Sequence, residues 1–381
     1  MTKLKLATFT LLRVILNIPY RMIYAFVPQF ARAVGVEPHV ITGLIARRAF
    51  VGVFMPFVIP FIETRGRKFG MVVGLGLFVA GAALVTLSPS LTTFGVAMIL
   101  GLVSKSLFDP SLTSYVADHV AYEERGVAIS ITEFAWSLAF VGGAPLVGWI
   151  LSHYHWWIPY ALFGLLGFGA LIFIALTLTD STKPVHHEDG RLGNIKQIAR
   201  SPVVLIALSI GLTLSAANEL VNATFALWLE DSFQLQIAAL AGASAFIGLS
   251  ELTGEGLVAL FVDRVGKVRA TGAGIIANCL AALLLPVIGR THNGALLGLF
   301  LFYITFEFTI VSIITLMTEV MPSARATTLS FAGAAHSIGR MTGALSSPVL
   351  YALGFTFVTG GAVVFNLLGL IAVWYVSRHH D

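Results

Sequence analysis

The sequence predicts an all-α membrane protein, with twelve transmembrane helices in two pseudo-symmetric six-helix bundles. Three observations predict it. Of 381 residues, 57% are hydrophobic and only 11% are charged, whereas a soluble domain carries about 25% charged residues. The apolar residues come in runs such as Met71–Leu87 and Tyr160–Leu178, the length needed to cross a hydrocarbon core about 30 Å thick. The loop patterns of the first half return in the second at an offset of 200 residues.

Each span lies between Gly, Pro or charge clusters. Span 1 (6–30) follows Lys3 and Lys5 and ends before Arg32, and span 2 (40–62) lies between Pro38 and Glu63. Span 3 (70–88) stops at Pro89, and span 4 (93–117) stops at Asp118. Span 5 (127–151) follows Arg125–Gly126, and span 6 (158–179) follows a polar and aromatic loop at 153–157. Span 7 (202–229) opens on Pro202 and closes at Glu230, and span 8 (237–261) closes at Asp263. Span 9 (270–289) lies between Arg269 and Arg290, and span 10 (294–318) ends at Glu319. Span 11 (326–352) follows Arg325, and span 12 (355–376) lies between Gly354 and Arg378. The longest polar segment, 180–201, is read as a cytoplasmic linker between a bundle of residues 1–179 and a bundle of residues 202–381. Its His186 and His187 are read as a solvated pair, and no metal site is expected.

The N-terminus and alternate loops hold 15 Lys and Arg, the opposite loops hold 2, and 6 more fall inside spans. Basic loops stay on the cytoplasmic side. The expectation is therefore a multi-pass protein of the cell membrane with both termini in the cytoplasm. The same rule explains the net charge of +4, so no nucleic-acid partner is expected. Lys3, Lys5 and Ala31-Arg32-Ala33 imitate a secretory leader, but Arg13 and Arg21 interrupt the apolar stretch, which is read as a span. The single cysteine, Cys279, rules out an intrachain disulfide.

Twelve charges lie inside the spans: Arg13, Arg21, Arg47, Arg48, Lys105, Arg340, Asp109, Glu133, Glu219, Glu251, Glu255 and Glu307. Each would cost roughly 3 kcal/mol facing lipid at the bilayer centre. They must face water, one another or a substrate, which points to transport of a small molecule. By sequence halves they divide into five basic and two acidic groups, then one basic and four acidic. None keeps its charge at the offset of 200, so these residues are better candidates for substrate or proton work than for the repeated scaffold.

Two motifs carry a family resemblance. Glu63-Thr64-Arg65-Gly66-Arg67-Lys68 follows span 2, and Asp263-Arg264-Val265-Gly266-Lys267 follows span 8. Arg125 and Ser130 match Arg325 and Ser330 at the same offset. Over the whole chain the sequence resembles the major facilitator superfamily, whose signature after helix 2 reads G-x-x-x-D-R-x-G-R-[RK]. Here Ile59, Glu63 and Thr64 depart from that signature. The resemblance implies that Glu63, Gly66, Arg67, Lys68, Asp263, Arg264, Gly266 and Lys267 form gating loops that latch the halves. Gly142-Gly143-Ala144-Pro145-Leu146-Val147-Gly148 looks like the family's antiporter motif and implies export by proton exchange. The basic residue that many exporters carry early in helix 4 would fall near Met98; Lys105 lies two turns further on. The resemblance also places spans 1, 4, 7 and 10 around a central cavity and spans 3, 6, 9 and 12 toward lipid. The latter four carry none of the twelve charges.

The substrate-binding candidates are Arg21, Tyr24, Lys105, Asp109, Glu219, Asn222, Glu307, His336 and Arg340. Arg21 suits an anionic group or a partner carboxylate. Lys105 and Asp109 are four apart and can pair along one helix. The proton-coupling candidates are Glu251, Glu255, Glu307 and Glu133. Glu251 and Glu255 are four apart and alike in sign, which favours protonation of one of them. Arg13 is expected to snorkel toward the cytoplasm. Arg47 and Arg48 are about 100° apart on a helix and cannot face the same way. Tyr20, Trp136 and Trp228 are candidates for a stacking surface or for packing. The expectation is a monomeric, proton-coupled antiporter working by alternating access, with export favoured, no cofactor beyond the coupling proton, and no enzymatic activity. Symport of an organic anion and a non-transporting receptor or assembly role are the alternatives.

Overall fold

The computed structural model describes residues 3–121, 124–178, 191–321 and 324–379; His186 and His187 lie outside them. Span 1 is α1 (Lys3–Ala25) and α2 (Val27–Val34), and span 2 is α3 (Pro38–Gly52) and α4 (Met55–Glu63). Spans 3 and 4 are α5 (Arg67–Leu87) and α6 (Leu91–His119). Span 5 is α7 (Arg125–Glu133), α8 (Ala135–Leu138), a π turn (Ala139–Gly143) and α9 (Ala144–His153), and span 6 is α10 (Ile158–Thr177). Part of the expected linker is helical, as α11 (Arg191–Arg200). Span 7 is α12 (Pro202–Asn222) and α13 (Phe225–Phe233). Spans 8 to 12 are α14 (Ile237–Val265), α15 (Lys267–Ile288), α16 (His292–Val320), α17 (Arg325–Leu353) and α18 (Phe355–His379). No strand occurs among the described residues.

All twelve expected spans are helical. Ten stretches are long and apolar enough to cross a membrane. The other two are span 2, interrupted at Val53–Phe54, and span 11, where α17 is rich in Ser, Thr and Gly. The breaks have local causes. Pro28, Pro56 and Pro145 open α2, α4 and α9, and a proline cannot donate to the carbonyl four residues back. The α12–α13 break has no proline. There Thr224 Oγ1 donates to the Leu220 carbonyl at 2.8 Å, a back-bond that bends helices.

The chain forms two compact units. Unit 1 comprises Met1–Glu37, Phe57–His186 and Ile237–Gly248. Unit 2 comprises Pro38–Pro56, His187–Gln236 and Leu249–Asp381. Each unit thus takes part of one helix from the other half of the sequence. In unit 1 the first stretch of α14 lies against span 5: a Cβ on Gly148 would stand 2.6 Å from Ala241 Cβ. In unit 2, α3 packs on α17. Helix α11 joins unit 2 through Ile198, which is buried with Val204, Met321 and Ala324.

The repeat holds in three dimensions. Gly66 and Gly266 precede α5 and α15 with φ of 98° and 90°, a region that L side chains rarely adopt. A Cβ on Gly74 would meet Phe108 Cβ at 3.1 Å, and one on Gly274 would meet Phe308 Cδ1 at 3.1 Å. The two contacts are 200 residues apart at both ends, so α5 seats on α6 as α15 seats on α16.

Candidate functional site

In unit 1 a polar stripe runs along α1. Arg13, Asn17 and Arg21 are spaced by four, so they share one face. Arg13 Nε donates to Asp109 Oδ1 at 3.1 Å, and its Nη1 lies 2.7 Å from Glu133 Oε1. The expectation that Arg13 snorkels is therefore corrected: the residue is 7% exposed, drawn inward by two carboxylates. Lys105 Nζ donates to Asp109 Oδ2 at 2.5 Å and to Asn17 Oδ1 at 2.7 Å. A chain of contacts thus runs Glu133–Arg13–Asp109–Lys105–Asn17. The expected Lys105–Asp109 pair is present, and Asp109 serves two cations rather than one. Glu133, half exposed at the end of α7, is an ion-pair partner of this cluster.

One turn beyond Asn17, buried Arg21 sits over two aromatic rings. Its guanidinium carbon is 4.3 Å from the Trp136 centroid and 3.6 Å from that of Phe140. Nη1 donates to the Trp136 carbonyl at 2.8 Å. Lys105 Nζ stands 5.2 Å from the same indole, and Tyr20 is 6.0 Å away. Such cation–π contacts strengthen when desolvated. The π turn follows directly after α8, and turns of this kind cluster at functional sites. Gly143, its last residue, lets α1 approach: a Cβ there would lie 2.4 Å from Ile18 Cγ1. Tyr24 is buried on α1.

In unit 2, α12 carries a second stripe: Ser215, Glu219 and Asn222. Ser215 Oγ lies 2.8 Å from His336 Nδ1, which also lies 3.1 Å from the Gly211 carbonyl oxygen. With the proton on Nδ1 the ring donates to that carbonyl, and with it on Nε2 the Ser215 hydroxyl donates to Nδ1. Asn222 Oδ1 accepts from Tyr303 Oη at 3.0 Å. Glu219 lies between them, fully buried, with Gly343 of α17 close enough that a Cβ would be 2.7 Å from Glu219 Cβ. Arg340 is half-buried one turn from His336.

Unit 2 also holds Glu251 and Glu255 on α14 and Glu307 on α16, the helix that α14 meets at Gly254. Gly254 of α14 abuts α16: a Cβ there would lie 2.8 Å from the Ile304 carbonyl oxygen and 2.9 Å from Glu307 Cβ. Glu251 and Glu255 lie to one side of that contact on α14, at about 60° and 100° from Gly254 around the helix, one before it and one after it along the axis. Glu251 and Glu307 are 2% and 7% exposed. Arg48 is buried on α3 while Arg47 is exposed, as their spacing requires.

The gating candidates lie at the Gly66 and Gly266 turns. Arg67 Nε is 3.6 Å from Asp118 Oδ2, and Lys267 pairs with Glu319. In each repeat the first residue of α5 or α15 is tied to the end of α6 or α16. Arg125 and Arg325 hold the Val120 and Thr318 carbonyls, at 3.2 and 2.9 Å. Lys68 is half-buried and Arg264 exposed. The side chains of Glu63 and Asp263 lie outside those described. Asn17 and Gly254 were missed by sequence reasoning. The first was legible from its four-residue spacing to Arg13 and Arg21, while nothing local marks the second.

A polytopic bundle that buries paired and unlike charges along helix stripes defines an integral membrane transporter. The chain belongs to the Major Facilitator Superfamily, whose family model matches residues 9–344. It is similar to the uncharacterized MFS-type transporter YwfA of Bacillus subtilis (strain 168), 22% identical over 338 residues, covering 84% of this chain and 79% of the relative. It is also similar to Multidrug resistance protein 2 of the same organism, 22% identical over 338 residues, covering 85% and 83%. Among solved structures, a D-xylose–proton symporter has a TM-score of 0.78 at 15% identity, over 97% of this chain and 96% of that one. The human organic anion transporter MFSD10 has 0.72 at 18%, over 98% and 100%. These structural likenesses establish the fold.

Proposed function

We propose that the protein is a proton-coupled secondary transporter that exports a small molecule by alternating access. The observation that carries this reading is the close approach of α14 to α16 at Gly254, against Glu307, in the stretch of α14 that also carries Glu251 and Glu255. Glu251 lies three residues beyond Gly248, where α14 passes from unit 1 to unit 2. Ionisable groups inside membrane helices mark proton relays. A change of charge at these acids acts on the one stretch of α14 that leads from unit to unit. The reading also draws on the Pro145 motif with its π turn, and a relative named Multidrug resistance protein 2 is in keeping with export. The Gly66 and Gly266 turns serve as the latch. The protein works as a monomer in the cell membrane with both termini in the cytoplasm, in line with the 15:2 division of loop charges.

The test uses energised inverted membrane vesicles containing the protein and a pH-sensitive dye. Addition of a transported compound should discharge part of the proton gradient. Glu251→Gln, Glu255→Gln and Glu307→Gln are compared at equal protein level. At least one should abolish the discharge, and a normal response in all three would overturn the assignment.

A further inference from the structure

We propose that Asn17 and Lys105 together bind an oxyanion of the transported molecule, so that the substrate is a small organic acid. The proposal rests on the transport reading and names its substrate class. Asn17 is fully buried. Its Oδ1 accepts from Lys105 Nζ at 2.7 Å. An ammonium group only donates, so this contact fixes which end of the amide is oxygen and which is NH2. The NH2 end, Nδ2, is buried without an acceptor. A buried amide donor without an acceptor is costly and rare in folded proteins, and here it points to a ligand atom that accepts.

Lys105 supplies the second donor. Its ammonium has three N–H groups, and two oxygens, on Asn17 and Asp109, take two of them. Nζ and Nδ2 are no more than about 5 Å apart, given the shared Oδ1, so one oxygen at ordinary hydrogen-bond length reaches both. The charge of the surroundings selects its sign. The membrane-embedded charges of unit 1 are Arg13, Arg21 and Lys105 against Asp109 and Glu133, an excess of one positive charge. A carboxylate brings the cluster to neutrality, whereas an amine adds to the excess. Lys105 has 20% of its side chain exposed and Asn17 none, so Lys105 is the group that shifts to admit the anion. The indole of Trp136, already beneath Lys105 and Arg21, walls the position.

The experiment is a thermal-shift titration of the full chain in detergent, with a thiol-reactive dye reporting exposure of buried Cys279. The probes are benzoate and hexanoate, with benzylamine, hexylamine, benzyl alcohol and hexanol as matched controls. At least one carboxylate should raise Tm by about 2 °C at ten times its Kd, and none of the controls should. Asn17→Asp keeps an acceptor for Lys105 but turns the NH2 end into a second acceptor; it should weaken the carboxylate at least tenfold. Asn17→Leu, which removes both ends, should do the same. The proposal is overturned if neither carboxylate shifts the wild type, if amines or alcohols shift it equally, or if Asn17→Asp leaves the carboxylate titration unchanged. Proton-coupled flux of another compound alongside such a failure would leave the transport reading standing. Carboxylate binding with no flux of any compound would overturn transport and leave the binding position intact.

Discussion

Replacing Asp109 by Asn is the sharpest test of the unit 1 cluster. Asp109 is the shared counter-ion of Arg13, at 3.1 Å, and Lys105, at 2.5 Å. After the change Arg13 retains Glu133 at 2.7 Å, while Lys105 keeps the Asn17 oxygen. Breaking one partner of a buried ion pair costs about 3–5 kcal/mol. Because Lys105 and Asp109 side chains are 20% and 15% exposed and Arg13 is still paired, the lower end, about 3 kcal/mol, applies. In a chain of this size that lowers Tm by roughly 4 °C. Removing both charges with Lys105→Met and Asp109→Leu leaves no orphaned ion, and such apolar replacements are often neutral. The double variant should therefore recover about 2 kcal/mol of the loss, a coupling of the size seen between contacting residues. Thiol-dye unfolding at Cys279 reads all three proteins. Asp109→Asn with wild-type Tm, or a double variant no more stable than the single one, would refute the shared counter-ion.

Three further outcomes are expected. Gly143→Ala places a methyl 2.4 Å from Ile18 Cγ1 and should cost about 1–3 kcal/mol of stability, part of it returned by adding Ile18→Ala. Gly66→Ala, at φ of 98°, should cost about 1 kcal/mol or more, whereas Gly126→Ala, with open space around it, should leave Tm unchanged in the same assay. Gly254→Ala, 2.8 Å from the Ile304 carbonyl oxygen, should push α14 from α16 and reduce proton-coupled flux more than it reduces the level of folded protein.

The helices were legible because crossing a bilayer demands long apolar runs, and the loops between them are polar by necessity. Their interruptions were less so. Ala223 and Thr224 sit inside an apolar pattern, and the break there comes from a side-chain hydroxyl bonding to its own helix. The exchange of α3 and the start of α14 is a tertiary event that no local pattern encodes, yet it alters the electrostatics. By sequence halves the membrane charges are strongly polarised. Arg47 and Arg48, however, belong to the same unit as Glu219, Glu251, Glu255 and Glu307. Unit 2 thus holds three basic and four acidic membrane charges, and unit 1 holds three and two. The Lys105–Asp109 pair was legible from a spacing of four. The Arg13–Asp109 contact joins residues 96 apart in sequence, so only the packing of α1 on α6 reveals it. Gly254, which lets α14 approach α16 at Glu307, looked like any other small residue of a membrane helix.

Coupling of substrate movement to protons is the central claim. Its most direct test is the purified protein in liposomes with a pH dye trapped inside and a substrate gradient imposed across the bilayer. Substrate should drive a proton flux in the opposite direction that scales with substrate flux and fails in the Glu251→Gln, Glu255→Gln or Glu307→Gln protein. Substrate movement with no change in internal pH would contradict the account.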